Sequence, residues 1–198
     1  MKSSNPWVAI DHLLGEEEGR FVRLGHFAYE GGDHGDTWLA LDLLFARPRR
    51  AQAAAARLAA ALAVHRAALV CGPLVGGALL GQLIAAELDA GFVYGEPRPA
   101  DRGEVAYIIP PESRRRLAGR TVIVVDDVIN AGSATRACIR EIEAAGGRVV
   151  AAGSLIIRDA TALRELLGLP VEALIEVPWK TWPVRDCPLC QAGQPLGG

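Results

Sequence analysis

Two adjacent acids followed by a run of small residues carry the clearest chemistry in this chain. Asp126 and Asp127 close the apolar run Val122-Ile123-Val124-Val125, and Asn130, Ala131, Gly132, Ser133, Ala134 and Thr135 come next. Open parallel sheets bind ligands at the carboxyl ends of their strands, so carboxylates there are placed to accept hydrogen bonds from a ligand's hydroxyls. The small residues let a ligand approach the backbone closely. Their N–H groups stand just ahead of a helix, where free donors and the helix dipole favour an anion. Acids for hydroxyls beside donors for a phosphate suit a sugar phosphate. The alternative is an acidic turn with nothing bound. A second glycine-rich turn, residues 71–77 (CGPLVGG), offers Gly72, Pro73, Gly76 and Gly77. It presents backbone N–H groups to a second anion, or it is a tight turn that needs glycine for geometry alone. Arg158 follows Leu155-Ile156-Ile157, a place where a lone arginine is ordinarily solvent-facing.

The elements that must position these residues alternate between strand and helix. Residues 122–125 form an uninterrupted β-branched run, as in a central strand covered on both faces. Residues 133–145 read as a helix stopped by Gly146-Gly147. Residues 1–20 read as a short helix and loop, 21–29 as a strand or hairpin arm, 30–37 as a polar glycine-rich turn and 39–45 as an apolar continuation. Residues 51–68 are an alanine-rich helix, 68–71 a short buried strand, 76–90 a helix with Leu80, Ile84 and Leu88 on one face, and 91–94 a strand. Residues 96–104 (EPRPADRGE) are expected as a mobile loop, 105–110 as a strand and 114–116 as a solvated basic turn. A strand over 149–157, a helix over 161–167 and a last strand over 173–177 complete the alternation, which implies parallel βαβ units and an α/β fold.

Composition sets the outer limits. The 198 residues are 51% hydrophobic and 22% charged, enough for one domain with its own core. Formal net charge is −2, which supplies no basic field for nucleic acid or an anionic membrane. Residues 67–86 carry no charge and are long enough to span a bilayer, but Gly72-Pro73 and Gly76-Gly77 break them into strand, turn and helix. No apolar segment of a signal peptide is visible in residues 1–11, so a cytoplasmic protein is expected. Cys71 and Cys138 sit in apolar patterns and read as buried small hydrophobes. Cys187 and Cys190 form a single CxxC, which supplies two zinc ligands and no more. His26 and His34 add ligands only if the chain folds across the molecule; otherwise the CxxC is a plain surface turn.

The order DDVINAGSATR resembles the PRPP-binding signature of the type I phosphoribosyltransferases, where PRPP is 5-phosphoribosyl 1-diphosphate. The orotate phosphoribosyltransferase version is the closest, with Asn130 and Ser133 in place of two threonines. The resemblance covers most of residues 21–195 and includes a CPLC-x-x-G-x-P tail found in some bacterial members. It implies a central, mostly parallel sheet flanked by helices with a small N-terminal hood: residues 1–45 as hood, 46–178 as core and 179–198 as tail of one domain. It also implies transfer of the phosphoribosyl group from PRPP to orotate in pyrimidine biosynthesis, with Mg²⁺ carried by PRPP. The alternatives are a purine-base phosphoribosyltransferase or a PRPP-binding regulator without catalysis.

Residue by residue, the resemblance gives Asp126 and Asp127 the ribose hydroxyls, directly or through Mg²⁺. It gives residues 130–135 the 5-phosphate, and Gly72, Pro73, Gly76 and Gly77 the pyrophosphate. Arg158 is the candidate for the base's carboxylate, since a planar guanidinium matches it bidentately, with Asp159 orienting it. Residues 27–38 (FAYEGGDHGDTW) resemble the family's hood, which offers Tyr29, His34 and Trp38 to the base; Asn130 is a further base contact. Orotate phosphoribosyltransferases carry a Lys, often with a His, in a flexible loop that closes over PRPP from the neighbouring subunit of a homodimer. Here the only lysines are Lys2 and Lys180, and the loop's cations are Arg98 and Arg102. Arginine can neutralise pyrophosphate but does not readily give up a proton.

Overall fold

The computed structural model describes residues 10, 21–29, 31–99 and 106–197. The expected helix in residues 1–20, apart from the buried Ile10, and Arg102 lie outside them. A six-stranded sheet has the order β5-β4-β3-β6-β7-β8. Its strands are β3 (Leu69–Pro73), β4 (Gly91–Arg98), β5 (Ala106–Ile108), β6 (Thr121–Ile129), β7 (Arg148–Ile157) and β8 (Val171–Glu176). All neighbours run parallel except β4 and β5.

The apolar run of β6 is continuous because both faces are covered. Ile123 and Val125 point into one core with Leu58, Leu62, Leu80 and Ile84. Val122 and Val124 point into the other with Ala137, Cys138 and Ile142. This is the two-residue period of a pleated strand. The first core is closed by α2 (Pro48–Leu62) and α3 (Gly76–Glu87), the second by α5 (Ser133–Ala144). A third cluster packs α6 (Ala160–Leu167) on Ile129, Ile157 and Val171. Pro48 starts α2, where its missing N–H has no helical partner to lose. Ala51, Ala54, Ala55, Leu58, Ala59 and Leu62 then form one buried stripe at helical spacing, with small alanines that allow close approach to the sheet. Leu58, Leu62, Leu80 and Ile84 are each 0% exposed, and each such burial contributes about 1.5–3 kcal/mol. Cys71 and Cys138 are both buried, as expected of small hydrophobes.

Several boundaries differ from the sequence-based expectations. The central strand does not stop at Val125; it runs on through Asp126 and Asp127 to Ile129, because β7 pairs with it as far as Ile157. The expected loop 96–104 starts as strand, and its residues 100–104 lie outside the described ones. Glu96, Pro97 and Arg98 extend β4 and pair antiparallel with Ile108, Tyr107 and Ala106. Pro97 is tolerated because β3 pairs with β4 only as far as Gly95. The expected basic turn is partly tied down. Short helices α1 (Asp42–Phe45) and α4 (Pro111–Arg114) replace irregular segments, Arg114 pairs with Glu141 at 2.6 Å, and Arg116 donates to the Phe92 carbonyl. Among the described residues no helix is long and apolar enough to cross a membrane.

A three-stranded antiparallel sheet makes the hood. Its strands β1 (Val22–Ala28) and β2 (His34–Leu39) form a hairpin, so the expected turn 30–37 is shorter than its composition suggests. The third strand, β9 (Thr181–Trp182), comes from the C-terminal tail and pairs with His34 and Gly35. The short helix α7 (Pro188–Gln191) follows it, and Gly197 N–H donates to the His26 carbonyl at 2.7 Å. Hood and tail are therefore built together.

Candidate active site

A cavity of about 360 Å³ opens between the hood and the carboxyl ends of the central strands. Asp126, Asp127 and residues 130–135 line it from the sheet side, and Tyr29, Thr37, Trp38 and Trp179 from the other. The two signals that were adjacent in sequence thus meet in one space.

The acids leave the core within β6 rather than after it. The Asp127 N–H donates to Asp126 Oδ1 at 3.1 Å, and the Val128 N–H donates to Asp127 Oδ1 at 2.9 Å. Ser154, fully buried on β7, donates to the Asp127 carbonyl. These bonds fix the carboxylates in a strand that carries β-branched residues before and after them. Burial, then the negative charge of Asp127 beside it, hold Asp126 well above the usual carboxylate range. Burial also raises Asp127, against the lowering effect of the Val128 N–H.

The turn after β6 ends in Gly132 at φ +75°, a left-handed conformation that suits glycine. Gly132 caps α5 without a side-chain hydrogen bond, and the first residues of this twelve-residue helix, whose N–H groups have no helical partner, line the cavity. Asn130 Oδ1 and Thr135 Oγ1 are buried with no partner among the described residues. Buried polar atoms are nearly always bonded, so two unpartnered ones on residues that line a cavity mark places for a ligand's polar groups.

The second glycine turn does not line the cavity; it supports it from below. A Cβ on Gly77 would lie 2.6 Å from Asp126 Oδ1, and one on Gly76 would collide with the Asp127 carboxylate. A Cβ on Gly72 would collide with the Gly77 carbonyl. Glycine here serves close approach, which admits the acids next to the turn. Pro73 touches the same spot, its Cδ 2.7 Å from a Gly77 Cβ position. The helix that follows, α3, also starts without a side-chain cap.

The remaining candidates divide. Ile157 pairs with Ile129, so Arg158 and Asn130 are the next residues along neighbouring strand ends. Arg158 Nε is buried with no partner among the described residues, and its charge opposes slightly the rise that burial causes in the Tyr29 pKa. Asp159 Oδ1 accepts the Ala162 N–H at 2.9 Å and caps α6. Tyr29 lines the cavity with its ring, but its hydroxyl donates to the Thr37 carbonyl, and burial pushes its pKa up to about 12. It offers a face and not a free hydroxyl. His34 is not in the cavity; its Nδ1 faces His26 Nε2 at 2.8 Å and Cys190 Sγ at 3.2 Å. Arg98 stands outside on β4, exposed, with Glu96 at 3.5 Å. Trp179 and Thr37 line the cavity without having been singled out in the sequence, where no motif or spacing marks them.

Comparisons with known proteins give the relatives of this chain and of its fold. The orotate phosphoribosyltransferase of Acidithiobacillus ferrooxidans is 31% identical over 191 residues, covering 91% of this chain and 90% of that protein. That of Caldanaerobacter subterraneus subsp. tengcongensis is 27% identical over 88% of each chain. Among solved structures, adenine phosphoribosyltransferase from Rhodothermus marinus superposes with a TM-score of 0.64 at 22% identity, covering 86% of this chain and 99% of that one. Orotate phosphoribosyltransferase from Aeropyrum pernix gives 0.58 at 21% identity, covering 78% and 88%. Both share the fold. The sequence pattern of the phosphoribosyl transferase domain matches residues 46–185, more than half of the chain and inclusive of both glycine turns and the acid pair, so this chain belongs to the phosphoribosyltransferase family.

Proposed function

We propose that this chain transfers the phosphoribosyl group of PRPP to orotate, giving orotidine 5′-phosphate and pyrophosphate. One observation carries the reading: a carboxylate pair, an uncapped helix start and two unpartnered buried polar atoms converge on a single cavity. The names of the curated relatives favour orotate as the base.

In this reading the N–H groups of residues 131–135 hold the 5-phosphate, with Thr135 Oγ1 as a further donor. Asp126 and Asp127 accept the ribose hydroxyls. Their negative charge also opposes the positive charge that develops on the ribosyl group as the bond to pyrophosphate breaks and the bond to the base nitrogen forms. The start of α3, with Gly72, Pro73, Gly76 and Gly77, stands beyond the cavity lining but directly against both acids, and in this reading it receives the pyrophosphate as PRPP extends past them. Arg158 pairs with the carboxylate of orotate, while Tyr29 and Trp38 lie over its ring. Holding both reactants in line removes much of the entropic barrier, so no nucleophilic side chain is needed. Arg98 on β4 of a neighbouring subunit in a cytoplasmic homodimer, with Arg102 from outside the described residues, neutralises the pyrophosphate.

The donor set suits magnesium. The cavity's ionisable groups at the sugar are hard carboxylate oxygens, and Asp126 and Asp127 would hold the ion together with PRPP oxygens. When bound, Mg²⁺ withdraws charge from the leaving pyrophosphate.

A panel assay tests the reading. Protein, PRPP and Mg²⁺ are mixed with orotate, adenine, guanine or hypoxanthine, and pyrophosphate release is followed. Release with orotate alone is expected. Release with a purine but not orotate would reassign the base, and PRPP binding with no release from any base would identify a regulator.

A further inference from the structure

Four metal-ligand atoms from the two ends of the chain converge beside the hood, outside the cavity. His26 lies on β1, His34 on β2, and Cys187 and Cys190 bracket the start of α7. One ring nitrogen of each histidine and the two Sγ atoms all lie within 4.8 Å of one another. His26 Nε2 is 2.8 Å from His34 Nδ1, 3.5 Å from Cys187 Sγ and 3.6 Å from Cys190 Sγ. His34 Nδ1 and Cys190 Sγ are 3.2 Å apart. A tetrahedral zinc with two nitrogen and two sulfur ligands sets edges of about 3.3–3.8 Å between its ligand atoms. The cluster is already close to that size.

The surroundings favour an ion over a chance meeting of side chains. His26, His34 and Cys187 are buried, and Cys190 is exposed, which leaves one open approach. The other ring nitrogen of His26 is 2.7 Å from the Gln194 carbonyl. An Nδ1–H donating there leaves the Nε2 lone pair aimed at the other three ligands, the usual outer support of a metal-bound histidine. Cys187 was expected on a plain surface turn, yet it is 0% exposed. Two thiolates also cancel the charge of a divalent ion, so the loaded site is neutral and suits burial.

We propose that His26, His34, Cys187 and Cys190 bind one zinc ion, which clamps the C-terminal tail onto the β1–β2 hairpin. Four protein ligands close the coordination sphere, so the site is structural rather than catalytic. Binding releases the two thiol protons, and soft thiolates with imidazoles select zinc over magnesium. The same hairpin carries Trp38 over the cavity and leads into Tyr29, so the clamp sets how the hood sits above the reactants. None of its ligands lines the cavity, and the proposal stands whether or not the base is orotate.

The test uses the full chain purified in reductant. Elemental analysis should find about one zinc per chain, and replacement with Co²⁺ should give the intense visible bands and thiolate charge-transfer absorption of a tetrahedral site. Cys190→Ser, at the exposed ligand, should weaken zinc binding by at least about 100-fold and shift the cobalt spectrum. Chelation of the wild type should lower Tm by more than about 5 °C, and zinc should restore it. A chain that takes up no stoichiometric zinc in reductant would overturn the proposal. So would a cobalt spectrum without thiolate charge transfer, one unchanged by Cys190→Ser, or a Cys187–Cys190 disulfide that persists in reductant.

Discussion

Asp127→Asn is expected to lower kcat/KM for PRPP by about 10²–10³-fold while the chain stays folded. The substitution keeps the shape and the acceptor for the Val128 N–H, so β6 keeps its local bonds. It removes negative charge from the place where the ribosyl group becomes cationic. Asp126→Asn should cost activity on the same scale and should also change stability in a pH-dependent way. Burial and Asp127 hold the Asp126 carboxyl well above its ordinary range in the folded chain. The folded state therefore binds this proton more tightly than the unfolded state. Stability is then lost as pH rises from the unfolded carboxylate range, about 4, through the folded pKa. Asn carries no such penalty, so the variant should melt a few degrees above wild type at neutral pH, with the gain vanishing towards pH 4. Circular-dichroism melts at the two pH values, beside steady-state kinetics, check both halves. Unchanged turnover in both variants would remove the acids from the reaction.

Arg158→Ala should raise the KM for orotate by about 100-fold and leave the KM for PRPP within about twofold. A bidentate, charge-assisted pair with a carboxylate supplies a loss of that size. Arg158→Lys should recover only part of it, because an ammonium cannot reproduce the planar fork. Steady-state kinetics with each substrate varied in turn separate the two pockets. A collapse of PRPP binding in Arg158→Ala would mean that the arginine serves the phosphates.

The local signals were the legible ones. The run 121–135 announced strand, acids, turn and helix because each step depends on its own residues: β-branched side chains covered on both faces, Gly132 at a left-handed φ, and small residues ahead of α5. The glycines of residues 71–77 were legible as a turn. That Gly76 and Gly77 make room for the two carboxylates was not, since β3 and β6 are far apart in sequence. Pairing partners decided the rest. β7 holds the acids inside a strand rather than beyond it, β5 draws Glu96, Pro97 and Arg98 out of a loop, and β9 brings the tail to the hood. His34 read as a base contact because residues 27–38 resemble the family's hood. Strand β2 turns it instead toward His26 and Cys190. Trp179 reaches the cavity only through the path of the tail, which no periodicity encodes.

A crystal structure with PRPP and Mg²⁺ bound tests the central claim most directly. The 5-phosphate should lie on the N–H groups of residues 131–135, with the ribose hydroxyls against Asp126 and Asp127. PRPP seated elsewhere, or with its phosphate turned away from the start of α5, would contradict it.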